Sequence, residues 1–201
     1  MFLWNANKKK IATMAIMVFS VSFFGVSYWQ HHKHLEDQMV ANNFQLIISA
    51  MATGDLLTVK NQANNLIKFS NRTPYPRLSA LFLAKLAVIN NNLEEAEHNL
   101  SLITKQTNKD QIWHIANLRL IKILLLQNKL NEAEAIKNSM EHNLPKSFIS
   151  RYQELFGDLL LAKNQPQKAN FLYRESVKNL PQQIPTTLID LKIADTDLEN
   201  D

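Results

Sequence analysis

The chain has 201 residues with three glycines and no cysteine, and 46% of its residues are hydrophobic. The lack of cysteine excludes disulfides, a thiolate zinc site and a cysteine nucleophile. Three of the 22 basic residues stand together at positions 8–10, and all 18 acidic residues follow position 30, so the rest of the chain is nearly neutral. This balance argues against nucleic-acid binding, because a nearly neutral domain attracts phosphate backbones poorly.

An uncharged apolar segment fills residues 11–29, beginning at Ile11 and ending with Tyr28 and Trp29. As a helix with a rise of 1.5 Å per residue it would span about 29 Å, close to the ~30 Å hydrocarbon core of a bilayer. Aromatic residues at its end are typical of the membrane interface. The segment therefore predicts one transmembrane helix.

The lysines before this segment set its predicted orientation. The positive-inside bias places residues 1–10 in the cytoplasm as a short tail, and residues 30–201 on the other side, which is the periplasm in a bacterial inner membrane. A cleaved signal peptide is the alternative, since it also has a basic start and an apolar core. The aromatic residues Phe23, Phe24, Tyr28 and Trp29 continue the apolar run through the small residues where cleavage would occur, which favours a retained anchor.

The sequence contains only weak signals for a catalytic site or a metal site. His31, His32 and His34 lack a carboxylate or thiolate at fixed geometry, a pattern more typical of a solvated segment beside a membrane than of a metal site. The glycines are too far apart for a phosphate-binding loop, and no motif of a metalloprotease or serine hydrolase occurs. We therefore predict no catalytic residue, metal or cofactor, and a protein that is not an enzyme; a site formed only in three dimensions is the alternative.

A helix–turn–helix unit recurs along the remaining chain. Ala96, Ala133 and Ala169 each follow an asparagine-containing turn, at offsets of 37 and 36 residues, and 37 residues before Ala96 lies Val59, shortly after Gly54. Tetratricopeptide-like arrays show such spacings, the bare repeat having about 34 residues. The sequence predicts an all-α fold, with the transmembrane helix followed by a tetratricopeptide-like α-solenoid of about four helical hairpins, the first beginning near residue 35.

The fourth hairpin matches the tetratricopeptide pattern best. With Ala169 at repeat position 20, Gly157 falls at position 8, Tyr173 at 24 and Pro181 at 32, each a residue type that the pattern favours. A last short helix over about residues 186–194 is predicted to cap the array, because the end of a stack exposes an uncovered face.

The first helices of successive hairpins would line a shared concave face. Repeat positions 5 and 9 give the candidate protein-binding residues, which are Phe44, Ile48, Leu81, Lys85, Leu118, Lys122, Glu154 and Asp158. Such a groove starts apolar and ends acidic, and it suits an extended or partly unfolded polypeptide. An ordinary solvated surface is the alternative for the charged members.

Five segments carry a family resemblance. They are residues 75–100 with the Leu-Glu-Glu-Ala turn, residues 115–120, residues 155–158 with the following Ala-Lys-Asn turn, residues 191–193, and the aromatic and basic residues 3–8. Together they resemble the YfgM-like ancillary subunits of the SecYEG translocon, which are single-pass inner-membrane proteins with a periplasmic tetratricopeptide-like domain. Only ten residues precede the predicted membrane helix, fewer than in the usual acidic cytoplasmic tail of that family.

The resemblance implies a non-catalytic accessory subunit anchored beside the translocon. Its expected partners are SecYEG, emerging secretory client polypeptides and periplasmic chaperones, and its expected location is the inner membrane with a cytoplasmic N-terminus. A periplasmic tetratricopeptide scaffold for envelope assembly, unrelated to the translocon, is the alternative function.

Overall fold

The computed structural model describes residues 2–69, 73–140 and 144–198, apart from the side chains of residues 2–16, 18, 20, 21, 23 and 198. Over these residues the chain forms helices and no strand, as the all-α prediction requires. The helices are α1 (Phe2–Thr53), α2 (Leu56–Leu66), α3 (Tyr75–Ile89), α4 (Leu93–Thr104), α5 (Gln111–Leu126), α6 (Leu130–Met140), α7 (Ile149–Ala162), α8 (Pro166–Lys178) and α9 (Thr187–Leu198).

The chain divides into two compact units, Met1–Tyr75 and Pro76–Asp201. In the first unit α1 packs against α2. The core residues that both helices bury are Val40, Phe44, Ile47, Ala50, Val59, Ala63 and Leu66. Phe44 also packs against Tyr75, with 5.1 Å between the ring centroids.

Helix α1 is longer than the sequence predicted. A membrane helix ending near Trp29 and a separate first repeat helix from about residue 35 were expected, but one helix runs through both. The reason is local, because residues 26–53 contain neither glycine nor proline that would end or kink a helix.

The predicted transmembrane segment, residues 11–29, lies in α1, and most of its side chains are outside the described residues. Across the part of the chain that the structure describes, no helix carries a stretch long and apolar enough to cross a membrane. Large apolar side chains that are described within the segment, including Met17, Phe19 and Phe24, are exposed. The transmembrane assignment therefore stays a prediction.

Four equivalent turns divide the helices into hairpins. Each turn contains one residue in the left-handed backbone region, namely Gly54 (φ 75°), Asn91 (φ 55°), Asn128 (φ 58°) and Asn164 (φ 56°). Glycine and asparagine adopt this region at the lowest steric cost, so the turn residues explain why the helices end there. Their spacing repeats the offsets of 37 and 36 residues read from the sequence.

The hydrogen bonds of these turns are also shared. In the second hairpin Asn92 N–H donates to Ala87 O over 2.8 Å, and Lys129 and Gln165 repeat the bond to Leu124 and Leu160 in the third and fourth. This six-to-one bond defines a Schellman motif, which satisfies carbonyl groups left free at a helix end. The same residue then begins the next helix, and the Asn92 side chain accepts the Glu95 N–H over 3.1 Å as an N-cap.

Proline opens two of the second unit's helices. Pro76 lies in the first turn of α3, and Pro166 begins α8. Proline is tolerated there because the first amides of a helix have no intrahelical partner.

Within the second unit, α4 and α6 pack against α5, α7 contacts α5 and α6, and α8 lies between α7 and α9. The repeat residues Ala96, Ala133 and Ala169 are fully buried, as their small size allows. Ion pairs join successive hairpins at equivalent places. Lys129 pairs with Glu97 over 2.6 Å, and Lys163 pairs with Glu134 one hairpin later.

Helix α9 covers the end of the second unit. Its residue Ile189 is buried with Ala169 and Tyr173 of α8. The Asn170 side chain in α8 donates hydrogen bonds to Thr196 Oγ1 over 2.8 Å and to Ile193 O over 3.1 Å. The last helix thus begins one residue later and extends further than the predicted 186–194, and it packs on α8 as a capping helix would.

Candidate protein-binding clefts

Two adjoining clefts lie on the face formed by the first helices of the hairpins in the second unit. The first, of about 540 Å³, lies between α5 and α7 and is lined by Ile115, Leu118, Arg119, Lys122, Ser147, Phe148, Arg151, Glu154 and Leu155. The second, of about 450 Å³, adjoins α3 and is lined by Ala84, Lys85, Val88, Ile89, Leu100, Arg119, Lys122, Ile123 and Leu126. Arg119 and Lys122 line both, so the clefts meet at α5.

The sequence of α5 explains this placement. Residues spaced by three or four positions share one face of a helix. Ile115, Leu118, Arg119, Lys122 and Leu126 follow that spacing, and all line one or both clefts. Apolar and basic side chains therefore lie together on one side of α5.

Four basic side chains border the clefts: Lys85 from α3, Arg119 and Lys122 from α5, and Arg151 from α7. All four are exposed. None forms an ion pair with another residue in the described part of the chain. The cleft surface therefore carries positive charge that no described residue neutralises through an ion pair.

The acidic residues on the same face are occupied. Lys192 of α9 donates to Glu154 Oε1 over 2.8 Å and to both oxygens of Asp158 over 2.7 and 3.0 Å. Burial alone would lower the pKa of Lys192, but the hydrogen bonds that it donates to Asp158 and Glu154 outweigh burial and raise that pKa. One lysine of the protein itself thus pairs with both carboxylates at the end of the face that the sequence predicted to be acidic.

The packing behind Asp158 depends on a close helix approach. A β-carbon at Gly157 would lie 2.5 Å from the Tyr173 ring, so only glycine lets α7 and α8 come this near. The buried Tyr173 hydroxyl donates to Asp158 Oδ1 over 2.9 Å. Burial, followed by the charge of Asp158, raises the pKa of Tyr173, which keeps the hydroxyl protonated as a donor.

An aromatic cluster supports the floor of the first cleft. The Phe148 ring, which lines the cleft, stacks on His114 with 5.2 Å between centroids. The Tyr152 hydroxyl donates to His114 O over 3.2 Å and lies 3.3 Å from Nδ1 of the same residue. Burial lowers the pKa of His114, so the imidazole is kept neutral.

The start of α5 is held by a buried arginine. Arg77 pairs with Asp110 over 2.7 Å, and Asp110 Oδ1 accepts the Trp113 N–H over 3.1 Å as the N-cap of α5. Burial would raise the pKa of Asp110, but the hydrogen bond from Arg77 and the Trp113 amide lower it overall. This contact joins the beginnings of α3 and α5, whose later turns line the second cleft.

The structure brings together some of the predicted site residues. Leu118, Lys122 and Glu154 line the first cleft, and Lys85 and Lys122 line the second. Asp158 lies next to Glu154 through their shared Lys192.

The other predicted residues differ in their setting. Leu81 is buried on α3 and lines neither cleft. Phe44 is buried and Ile48 is exposed, and both belong to the first compact unit. Their part in protein binding stays a prediction.

Sequence reasoning missed Arg119, Arg151 and Lys192. The first two fall at positions 6 and 2 of the repeat alignment, so the same periodicity could have found them if more than positions 5 and 9 had been read. Lys192 has no such signal, because it reaches Glu154 and Asp158 across more than thirty residues of sequence. Over the residues described, no group of three or more metal-ligating side chains clusters.

Comparison with known proteins agrees with this architecture. A family described as a tetratricopeptide repeat-like domain matches residues 2–198. A protein of Aggregatibacter actinomycetemcomitans named ancillary SecYEG translocon subunit is 30% identical over 88% of this chain and 84% of its own length.

Two further relatives carry the same name. The protein of Buchnera aphidicola is 24% identical over 96% of this chain and 97% of its own length. The Escherichia coli protein is 23% identical over 87% of this chain and 82% of its own length. The similarity therefore covers α1 as well as the repeats, and the chain belongs to the tetratricopeptide repeat-like family of the ancillary SecYEG translocon subunits.

Proposed function

We propose that this chain is a non-catalytic accessory subunit of the SecYEG translocon, anchored in the inner membrane by residues 11–29. The observation that carries the proposal is the family match, which extends over nearly the whole chain and includes relatives named for the translocon. The exposed apolar side chains in this part of α1, among them Met17, Phe19 and Phe24, support a position against lipid.

In this proposal the second unit stands in the periplasm and contacts polypeptides that leave the channel. The clefts support this role because exposed apolar side chains border unpaired charges, a surface that accepts varied extended chains. Transfer of these clients to periplasmic chaperones is part of the proposal, as the resemblance to the YfgM-like subunits implies.

Site-specific photo-crosslinking in cells tests the client contact. A photoreactive residue is placed at Leu126, which is 68% exposed at the second cleft, and in a control variant at Phe171 of α8, which is 62% exposed and lines neither cleft. Secretory proteins should be trapped from position 126 and much less from position 171. Equal trapping from both positions would contradict a client site in the clefts.

Association and topology are tested separately. Purification in mild detergent should recover channel subunits with the chain, whereas recovery of envelope-assembly proteins alone would favour a scaffold. A topology reporter fused after Asp201 should be active only in the periplasm. Cytoplasmic activity of the reporter would contradict both the orientation and the client contact.

A further inference from the structure

The two clefts have an imbalance of charge that identifies what they bind. Four basic side chains line them, and Glu154 is the only carboxylate among the lining residues. That carboxylate already accepts a hydrogen bond from Lys192 over 2.8 Å. Among the residues that the structure describes, a ligand that enters the clefts therefore meets four cations without an ion-pair partner and one carboxylate that is already paired.

Exposed apolar side chains stand beside these cations. Val88 and Ile89 at the end of α3 are 43% and 60% exposed, and Leu126 at the end of α5 is 68% exposed. All three line the second cleft with Lys85 and Lys122. Burying them requires an apolar partner, since removal of such surface from water is favourable by about 25 cal/mol per Å².

Helix α9 limits the basic surface. Lys192 pairs with both Glu154 and Asp158 at the α7 end, so a cationic ligand group would compete with it for these carboxylates. The free part of the face consequently runs from α3 across α5 to Arg151 of α7. It is an open, elongated site with one sign of charge.

We infer that the clefts select extended polypeptide segments in which carboxylate side chains alternate with bulky apolar ones. The carboxylates pair with Arg119, Lys122 and their basic neighbours, and the apolar side chains cover the exposed ends of α3 and α5. Arginine and lysine serve differently here, because the arginine fork can bind a carboxylate with two parallel hydrogen bonds. The inference deepens the proposed function, since it rests on these clefts being a protein-binding surface.

Peptide binding to the 201-residue chain in nonionic detergent tests the inference. One fluorescent peptide alternates Asp and Glu with Leu and Phe, a second replaces the acids with Asn and Gln, and a third replaces them with Lys. The acidic peptide should bind at least tenfold more tightly than the amide peptide, and the lysine peptide should bind weakest. Raising salt from about 0.1 M to about 1 M, which shortens the Debye length from ~10 Å to ~3 Å, should remove most of that difference.

Charge reversal then locates the site. Arg119→Glu and Lys122→Glu should each weaken the acidic peptide about tenfold or more, whereas Lys105→Glu makes the same change of charge on an exposed lysine outside both clefts and should alter binding less than twofold. Lys122→Gln is the milder variant, and it should still weaken the acidic peptide severalfold if a charge-reversed variant fails to fold.

Three results would overturn the inference. They are equal affinity for the acidic and amide peptides, equal loss in the Lys105→Glu control, and binding of a single-stranded oligonucleotide as tight as that of the acidic peptide, which would show unselective attraction of anions. Clients crosslinked from position 126 together with no preference for acids would leave the proposed function intact. Acid-selective binding without crosslinked clients would instead support the ligand chemistry and reject the proposed contact with secretory clients.

Discussion

The face that carries the two clefts has paired charges at one end and unpaired charges at the other. At the α7–α9 end the carboxylates of Glu154 and Asp158 share Lys192, and behind them Tyr173 fits against Gly157. Around α3 and α5 the charges of Arg119 and Lys122 have no partner in the described chain, and apolar side chains beside them are exposed.

This difference indicates a division of work along the repeats. Terminal repeats need a cap, because a stack of hairpins leaves its last face uncovered. Helix α9 supplies that cap and satisfies the acidic groups at the same time. Within the second unit the hairpin of α5 and α6 contacts α4 on one side and α7 on the other, so it needs no cap and its cleft side chains can remain available for a ligand.

The largest expected effect comes from Gly157→Ala, which disrupts the packing of α7 against α8 at the closed end, the end of the face that α9 covers. The new β-carbon would lie 2.5 Å from the buried Tyr173 ring, and overpacking this severe costs about 3 kcal/mol, the upper end of the usual range. The gain in helix propensity offsets about 1 kcal/mol of that cost. We expect a net loss near ~2 kcal/mol, measured by urea unfolding, with faster hydrogen exchange in α7 to α9 than in α3 to α5.

A second substitution separates the clash from other causes. In a Tyr173→Leu background the same Gly157→Ala change should cost much less, because a smaller side chain leaves room for the β-carbon. Ala84→Gly, at the equivalent repeat position of α3, should lose about 1 kcal/mol through helix propensity and about 0.8 kcal/mol through the loss of its buried methyl group. An unchanged cost of Gly157→Ala in the Tyr173→Leu background would show that the ring contact is not its origin.

Asp110→Ala is expected to have the next largest effect. It acts on the other end of the face, where it breaks a contact between α3 and α5. It removes the N-cap of α5 and leaves the buried Arg77 guanidinium without its carboxylate, at a cost of about 2 kcal/mol in all. Asp110→Asn keeps a capping oxygen but not the charge, so its thermal unfolding midpoint should lie between those of the wild type and Asp110→Ala. Equal stability of all three proteins would contradict the role of this contact.

The same carboxylate gives a dependence on pH. Its pKa is lower in the folded than in the unfolded chain, where an aspartate titrates near ~3.9, so the folded state binds fewer protons on acidification. The stabilisation is complete above that unfolded value and disappears as pH falls through the folded pKa. Asp110→Asn should abolish this part of the acid dependence.

Lys192→Ala should have a smaller effect on stability and a clear effect on binding. Lys192 is partly exposed, so solvent screening limits the cost of its removal to about 1 kcal/mol. The change frees Glu154 and Asp158, and it should raise the affinity of the chain for the lysine peptide. Lys178→Ala, which breaks a more exposed pair within α8, is the matched control and should leave both properties unchanged.

The pH dependence of this contact has the opposite sign. The raised pKa of Lys192 means that its stabilisation is complete below the unfolded value near ~10.4 and is lost as pH rises through the folded pKa. Alkaline unfolding of the wild-type chain should therefore include a component that Lys192→Ala lacks. If both proteins titrate alike at alkaline pH, the shared contact with the two carboxylates contributes nothing in solution.

Much of the fold could be predicted because residues close together in the sequence determine the turns and the close helix contacts. The turn residues Gly54, Asn91, Asn128 and Asn164 mark the hairpins at the observed spacing, and the small residue Ala96 and its equivalents mark where helices approach closely. The uninterrupted α1 was missed because composition separates an apolar segment from a polar one, whereas a helix ends only at a breaker or a cap.

The cleft was predicted in part for a similar reason. Repeat periodicity identified Lys85 and Lys122, since every hairpin presents the same positions to one face. It could not show that Leu81 is buried, or that Lys192 neutralises Glu154, because these outcomes depend on packing between elements distant in sequence. In the folded chain, the carboxylates at the predicted acidic end are therefore paired with a lysine of α9.

The smallest expected effect concerns the turns themselves. Asn164 adopts φ 56° between α7 and α8, next to the closed end, and Asn91 adopts φ 55° between α3 and α4, next to the open part. Replacement of either by alanine should cost about 1 kcal/mol, because a β-carbon disfavours this region, and replacement by glycine should change stability by less than ~0.5 kcal/mol.

If the ends differ in rigidity as the contacts indicate, Asn164→Ala should lower the global unfolding midpoint, whereas Asn91→Ala should mainly speed local hydrogen exchange in α3 and α4. Identical exchange patterns for the two alanine variants would show that the repeats unfold as one unit, and that the contrast between the closed and open ends is one of charge alone.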